Sequence, residues 1–167
     1  MHIQEKIIPF DSLAHILDAF RQQRIVCTNG VFDLMHIGHV RYLGLARQQG
    51  DLLVVGINSD RSTQRLKGPL RPLVPQDERA ELIAGFQCVD FVTIFEQDTA
   101  EELLRAVRPA VYVKGGDYQL GSASAKPLPE ASVIAELGGE VQLIPYVAGH
   151  STSEMIARIM HMMQFQG

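Results

Sequence analysis

The sequence predicts an α/β fold: a single-domain, Rossmann-like, doubly wound sheet of five parallel strands with helices on both faces and an extra N-terminal helix. Three observations predict it. The chain has 167 residues, about the length of one domain. Five short runs are mostly apolar, as is typical of strands buried on both faces of a parallel sheet. Amphipathic segments long enough for right-handed crossover helices separate these runs.

In the N-terminal half, apolar spacing defines each element. Apolar residues recur at helical spacing over 11–23, which predicts the extra helix. The runs 25–28 and 52–57 are apolar without alternation and predict the first two strands. Between them, 37–48 predicts a helix that a glycine ends. The stretch 59–75 is polar and rich in Arg, Lys, Gly and Pro, so we expect a loop there.

The C-terminal half continues the alternation. Its predicted elements are a helix over 76–86, a strand over 91–94, a helix over 99–107, a strand over 110–113, a helix over 129–137, a strand over 141–144 and a last helix from about residue 151. Pro109 stops the second of these helices, because the residue before a proline avoids the α conformation. Paired glycines close the third helix.

This organisation predicts both domain limits and the place of the site. We expect residues 1–23 to form a helical extension packed on the main domain over 24–163. In open parallel sheets, ligands bind beyond the carboxyl ends of the strands. Functional residues should therefore follow the strands, near 29–39, 58–71, 95–98, 114–118 and 145–153.

The composition excludes some partners. The chain has 15 Lys and Arg against 19 Asp and Glu, a formal charge of −4, and no long basic run. Nucleic acids and anionic membranes are bound by clustered Lys and Arg, so we expect neither as a partner. No signal peptide or membrane-spanning run is visible, and Cys27 and Cys88 lie in apolar stretches as free thiols. We therefore expect a reducing, cytoplasmic location.

The window after the first strand carries most of the chemistry. His36 and His39 are three residues apart, so at a helix start they share one face. Gly38 leaves room between them for a flat group, and the helix N-terminus adds N–H donors and positive potential that suit a triphosphate. Two imidazoles there can stabilise charge on a phosphorus under attack. The same window supplies the candidate nucleotide contacts Asn29, Gly30, Val31, Phe32 and Gly38.

A metal site is the alternative for this pair of histidines. A metal needs a third ligand, and helical histidine ligands usually lie four residues apart. The strand, the glycine turn and the helix start together favour phosphate chemistry instead.

The later windows add further candidates. Arg65, Lys67 and Arg71 could reach over phosphates from a mobile loop, or form a solvated basic loop. After the fourth strand, the glycines of 114–118 let the backbone approach a ligand, or form a simple turn. The segment 149–153 could grip phosphate while it caps the last helix.

The pattern Gly-x-Phe-Asp-x-x-His-x-Gly-His over 30–39 resembles the cytidylyltransferase-like nucleotidyltransferases. These share His-x-Gly-His with class I aminoacyl-tRNA synthetases. A synthetase is not expected, because the chain is short and lacks the basic surface that tRNA requires.

The string Lys-Gly-Gly-Asp-Tyr at 114–118 resembles the adenylyltransferase domain of the bacterial heptose enzymes, which make ADP-heptose from heptose 1-phosphate for lipopolysaccharide cores. Residues 58–60, 65–68 and 149–152 are similar to that family too. The resemblance implies transfer of AMP from ATP to a sugar 1-phosphate with release of pyrophosphate. Two alternatives stay open: another CTP- or ATP-dependent transferase, such as one resembling glycerol-3-phosphate cytidylyltransferase, and a non-catalytic nucleotide-binding module.

The resemblance also implies roles for particular residues. His36, His39 and Lys67 would be catalytic. The nucleotide would contact Lys114, Gly116, Asp117, Ser151 and Thr152 in addition to the residues after the first strand. The acceptor pocket would involve Asp33, Asp60, Arg65, Arg71, Arg79 and Tyr118. Mg²⁺ is expected, held mainly by the nucleotide phosphates.

Departures from the family patterns modify these expectations. The arginine of the cytidylyltransferase signature Arg-Thr-Glu-Gly-Ile-Ser-Thr-Thr is absent from 146–153, so Lys114, Arg65 or His150 would have to meet the phosphate charge. The insert 119–127 differs from the commoner form. The heptose enzyme is often fused to a sugar kinase, so we expect a separate kinase to supply the sugar phosphate. The Met-rich last helix could be core or the surface of a homodimer.

Overall fold

The computed structural model describes residues 2–115, 128–145 and 152–164. Five strands form one parallel sheet in the order β3-β2-β1-β4-β5. The strands are β1 (Ile25–Gly30), β2 (Leu52–Asn58), β3 (Phe91–Phe95), β4 (Val111–Gly115) and β5 (Glu140–Ile144). The predicted fold class is confirmed.

Helices cover both faces of this sheet. They are α1 (Ile3–Lys6), α2 (Phe10–Asp18), α3 (Ile37–Arg47), α4 (Asp60–Lys67), α5 (Gln76–Ala84), α6 (Glu101–Val107), α7 (Glu130–Glu136) and α8 (Thr152–Gln164). One apolar core unites α2, α6 and α7 with one face of the sheet, and a second core unites α3 and α5 with the other. Along β2, Val54 belongs to the first core and Val55 to the second. Successive side chains point to opposite faces, so both faces need apolar residues and the strand sequence shows no alternation.

The predicted loop over 59–75 is wrong in its first half, where α4 forms. Ser59 caps this helix by accepting a hydrogen bond from the backbone N–H of Ser62 at 3.1 Å. The residues that α4 buries are Ser62 and Thr63, both polar. The helix therefore has no apolar stripe, and the pattern used to find the other helices is missing here.

The N-terminal segment also differs from the prediction, because two helices form where one was expected. α1 is a single turn, and α2 ends at Asp18 rather than at residue 23. Between them, the Ile8 N–H donates to the Val92 carbonyl at 2.8 Å, and Ile7 bridges to the same residue. This pairing covers the outer edge of β3, an edge that would otherwise expose unpaired backbone groups. The domain limits at 23 and 24 stay a prediction.

The sheet order creates a crevice at one point of its carboxyl edge. The chain leaves β1 through α3 toward β2, whereas β4 leads to β5 on the opposite side. The carboxyl ends of the adjacent strands β1 and β4 therefore flank the position where connections diverge, which is where doubly wound sheets bind ligands.

In the described ranges, no helix is long and apolar enough to cross a membrane. Both cysteines are free thiols, and burial raises the pKa of the Cys27 thiol.

Candidate active site

The two histidines meet at the first turn of α3, beside this crevice. His36 is the N-cap residue, and its Nδ1 accepts the Gly38 N–H at 3.1 Å. The His36 backbone N–H in turn donates to His39 Nδ1 at 3.3 Å. The ring centroids lie 3.9 Å apart with the planes tilted by 32°. Both Nδ1 atoms act as acceptors, so at either position the single proton of a neutral ring lies on Nε2.

His39 is a neutral imidazole near pH 7. Burial, followed by the electrostatic effect of His36, lowers its pKa from 6.5 to about 4. A neutral ring donates one hydrogen bond from Nε2, and an anionic ligand beside it favours protonation. The pair can therefore bind phosphate by hydrogen bonding and take up positive charge as negative charge develops on the ligand.

Phe32 shapes the turn that leads to these rings. Its φ of 51° places a non-glycine residue in the left-handed region, a conformation that needs support from the surroundings. Its ring lies 5.5 Å from the His39 ring, and a Cβ on Gly30 would lie 3.1 Å from Phe32 Cε2. Gly30 was predicted as a nucleotide contact. In the structure its missing side chain makes room for the Phe32 ring, and the left-handed residue of the turn is Phe32.

A polar network joins the carboxyl ends of β1 and β4. Asn29 Oδ1 accepts from Tyr112 Oη at 2.6 Å and from Lys114 Nζ at 3.0 Å. Lys114 Nζ also donates to Tyr112 Oη at 3.1 Å and lies 3.9 Å from the Glu130 carboxylate. Asn29 and Lys114, both predicted as nucleotide contacts, are thus brought together. Tyr112 and Glu130 were missed; a tyrosine inside an otherwise aliphatic strand was the available signal for the first.

Asp33 was predicted as an acceptor-pocket residue, and its carboxylate is buried and bound to protein groups. It accepts from Arg71 Nε at 2.6 Å and from the backbone N–H groups of Leu73 and Val74 at 2.8 and 2.9 Å. Burial alone would raise the pKa of Asp33. The two backbone hydrogen bonds and Arg71 outweigh burial and hold this pKa below its ordinary value.

Arg79 holds the same segment from the other side. Its guanidinium is fully buried and donates to the carbonyls of Val31 and Val74 and to Asp60 Oδ1, the last at 2.7 Å. Asp33 and Arg79 together therefore clamp residues 71–75 to the turn after β1. We call this set of contacts the Asp33–Arg79 clamp. Asp60, Arg71 and Arg79 lie in one network, as neighbours of the turn that carries the histidines.

The remaining candidates are spread over the same edge of the sheet. Arg65 is paired with Asp98 at 2.7 Å, after β3, and Lys67 is exposed at the end of α4. Thr152 Oγ1 donates to the Leu34 carbonyl at 3.3 Å, so the start of α8 touches the histidine turn. Gly116, Asp117, Tyr118 and Ser151 lie outside the described residues, as does His150. Among the described residues, no group of three or more His, Cys, Asp or Glu side chains could hold a metal ion.

Comparison with known proteins gives a consistent picture. The family model described as cytidylyltransferase-like matches residues 27–158. The bifunctional protein HldE of Geobacter sulfurreducens is 47% identical over 157 residues, which is 93% of this chain and 31% of that protein. HldE of Helicobacter hepaticus is 46% identical over 158 residues, 95% of this chain and 31% of the relative. The chain thus spans about a third of the length of these curated relatives.

Solved structures agree on the fold. The lipopolysaccharide core biosynthesis protein of Thermoplasma volcanium aligns with a TM-score of 0.59 and 29% identity, over 75% of this chain and 97% of that one. The pantoate-beta-alanine ligase of Francisella tularensis aligns with a TM-score of 0.57 over 91% of this chain and 76% of its own. At 11% identity, the second likeness shows the fold alone.

Proposed function

Because the chain belongs to the cytidylyltransferase-like family of nucleotidyltransferases, we propose that it transfers AMP from ATP to a sugar 1-phosphate and releases pyrophosphate. Heptose 1-phosphate is the acceptor we favour, which makes ADP-heptose the product. The observation that carries the proposal is the close pair of imidazoles at the N-terminus of α3, beside the point where the sheet connections diverge.

The proposed reaction is an in-line attack of an acceptor phosphate oxygen on the α-phosphorus of ATP. The acceptor phosphate is already ionised near neutral pH, so no strong general base is needed. The Nε2–H groups of His36 and His39 would donate to the phosphoryl oxygens as charge builds there. The ammonium of Lys114 would add positive potential at the neighbouring strand end. Positioning and charge stabilisation would then supply most of the rate.

Mg²⁺ would accompany the nucleotide. The described side chains of the crevice are imidazole, amide, phenol and ammonium groups. Its carboxylates are already engaged, since Glu130 lies beside the Lys114 ammonium and accepts the Ala100 N–H, and Asp33 is bound by three donors. This donor set suits a metal carried by phosphate oxygens and water better than one held by protein ligands. Bound in that way, the ion would neutralise charge on the triphosphate.

Three findings support a heptose acceptor. The string at 114–118 and the stretches 58–60, 65–68 and 149–152 resemble the heptose adenylyltransferases, and the curated relatives carry the shared name HldE. The Thermoplasma relative is named for lipopolysaccharide core biosynthesis. A cytoplasmic location, a homodimer and a separate kinase that supplies the sugar phosphate stay predictions.

A screen for pyrophosphate release tests the proposal. ATP and CTP are each combined with heptose 1-phosphate, other sugar 1-phosphates and glycerol 3-phosphate, with Mg²⁺ present. We expect the highest rate for ATP with heptose 1-phosphate. A preference for CTP with glycerol 3-phosphate would support the cytidylyltransferase alternative. Nucleotide binding without release for any pair would support the non-catalytic module.

A further inference from the structure

We propose that Tyr112 and Lys114 are positioning residues that orient the Asn29 side-chain amide so that its Nδ2 donates to a phosphate oxygen of the bound nucleotide. The inference rests on the proposed function and deepens it. It gives a functional role to Tyr112, a buried strand residue. It also gives Lys114, which was predicted to contact the nucleotide, the role of orienting the Asn29 side chain.

The network determines which way the Asn29 amide faces. Lys114 Nζ is a donor without acceptor capacity, so the atom of Asn29 that lies 3.0 Å from it must be the oxygen. Tyr112 Oη accepts from Lys114 at 3.1 Å and therefore has its own proton available for Asn29 Oδ1 at 2.6 Å. The opposite flip would set the amide N–H groups against an ammonium group.

The support for this orientation is rigid. Tyr112 is fully buried in the core beneath α6, and the side chains of Lys114 and Glu130 are 16% and 6% exposed. Glu130 lies 3.9 Å from the ammonium and accepts the Ala100 N–H at 3.2 Å, which ties the network to the start of α6. Strand pairing sets Tyr112 beside Cys27, two residues before Asn29, so the contacts follow from the register of β1 and β4.

The amide nitrogen is what this arrangement leaves for a ligand. In the described part of the chain, no acceptor is paired with Asn29 Nδ2, and Asn29 is half-buried at the carboxyl end of β1. The next residue, Gly30, begins the turn that leads to the two imidazoles. Two donors on Oδ1, one of them cationic, draw electron density from the amide and strengthen Nδ2–H as a donor. An anionic oxygen is the acceptor that such a group binds best.

A double-mutant cycle on nucleotide binding tests the inference. The dissociation constant for Mg·ATP is measured calorimetrically, without acceptor, for the full chain and for Tyr112→Phe, Asn29→Ala and the double variant. We expect about tenfold weaker binding for Asn29→Ala, the loss of one hydrogen bond to a charged group. Tyr112→Phe should weaken binding about threefold alone and have no further effect once Asn29 is alanine.

Tyr42→Phe is the matched control. Tyr42 Oη also bridges β1 and β4, through Thr28 Oγ1 at 2.6 Å and the Val113 carbonyl at 3.0 Å, and has no hydrogen bond to Asn29. Loss of the Tyr42 hydroxyl should lower the free energy of unfolding, while the Mg·ATP dissociation constant of Tyr42→Phe stays within twofold of the wild-type value. This separates positioning from a general effect on the strand pair.

The outcomes are distinct. Equal effects of Tyr112→Phe in both backgrounds, or an unchanged dissociation constant for Asn29→Ala, would overturn the inference. If the wild-type chain binds Mg·ATP but releases no pyrophosphate with any acceptor, the proposed reaction fails while the cycle still decides the role of Tyr112. A wild-type chain that binds no nucleotide would overturn both.

Discussion

Replacement of Asp33 by asparagine separates two roles for this carboxylate, a structural clamp and an acceptor contact. The side chain is 1% exposed and binds three donors, while its ion-pair partner Arg71 is 22% exposed. Asparagine keeps the shape but removes the charge and offers one acceptor oxygen instead of two. Three donors then compete for one oxygen: the Leu73 N–H, the Val74 N–H and the Arg71 guanidinium. At least one of these donors loses its hydrogen bond to residue 33.

The expected cost follows from these contacts. A hydrogen bond to a charged group contributes about 1.5–3 kcal/mol, and removing one partner of a buried ion pair costs about 3–5 kcal/mol. Arg71 is partly exposed and can regain water, so we expect Asp33→Asn to lower the free energy of unfolding by about 3 kcal/mol. The difference should shrink as the pH falls through the folded-state pKa of Asp33, because that pKa is lowered and the carboxylate contributes stability only while ionised.

Urea unfolding at pH 7 measures this loss, with Asp18→Asn as the control. Asp18 pairs with Arg21 at 3.2 Å but is 69% exposed, so its replacement should change stability by less than about 1 kcal/mol. Steady-state kinetics of Asp33→Asn provide the second measurement. Wild-type stability together with a raised KM for the sugar phosphate would refute the clamp and show that Asp33 contacts the acceptor.

Four further predictions address His39 and the packing of two glycines. His39→Ala should reduce turnover by about 10²–10³-fold with the fold retained. The control His15→Ala, on the exposed face of α2, should leave turnover unchanged. Near-wild-type kinetics for His39→Ala would refute the proposed mechanism. The lowered pKa of His39 means that the unfolded chain binds more protons between pH 6.5 and about 4. The free energy of unfolding should therefore decrease as the pH is lowered from 6.5 to about 4. Urea titrations at several pH values should show a smaller decrease for His39→Asn than for the wild type. Gly56→Ala would place a Cβ 2.2 Å from Leu103 Cδ2 and should cost about 1–3 kcal/mol, measurable as a lower melting temperature. For Gly44→Ala inside α3, the added Cβ would meet no described residue within 4 Å beyond the helix's own backbone. This substitution should raise the melting temperature instead, since alanine is favoured over glycine in a helix by about 0.5–1 kcal/mol.

The histidine pair could be found from the sequence because the information is local. His36 and His39 belong to the same helical turn, and their spacing alone decides that the two rings share a face. The same holds for β1 to β4, whose apolar runs report burial on both faces, whereas β5 at the sheet edge is exposed at Glu140 and Gln142. α4 escaped detection because its buried residues are polar, so periodicity carried no signal.

Partners of the buried charges could not be read in this way. Asp33, Arg71 and Arg79 are each compatible with substrate contacts in the sequence, because the sequence shows a charged side chain but not the partner that it meets. Whether each of these side chains binds a substrate or another part of the protein depends on the residues that surround it in the folded chain. Arg79 donates to the carbonyl of Val31, which is 48 residues away in the sequence, and Arg71 donates to the carboxylate of Asp33, which is 38 residues away.

The sequence by itself determined the alternation of strands and helices and the shared face of the imidazole pair, because apolar runs and the helical repeat of 3.6 residues are local signals. It also predicted the edge of the sheet where ligands are expected, from the general rule for open parallel sheets. Only the tertiary structure decided that β1 lies beside β4, that Tyr112 meets Asn29 across 83 residues, and that Asp33 faces inward. Contacts between distant segments depend on strand order and register, and these arise when the whole core packs at once.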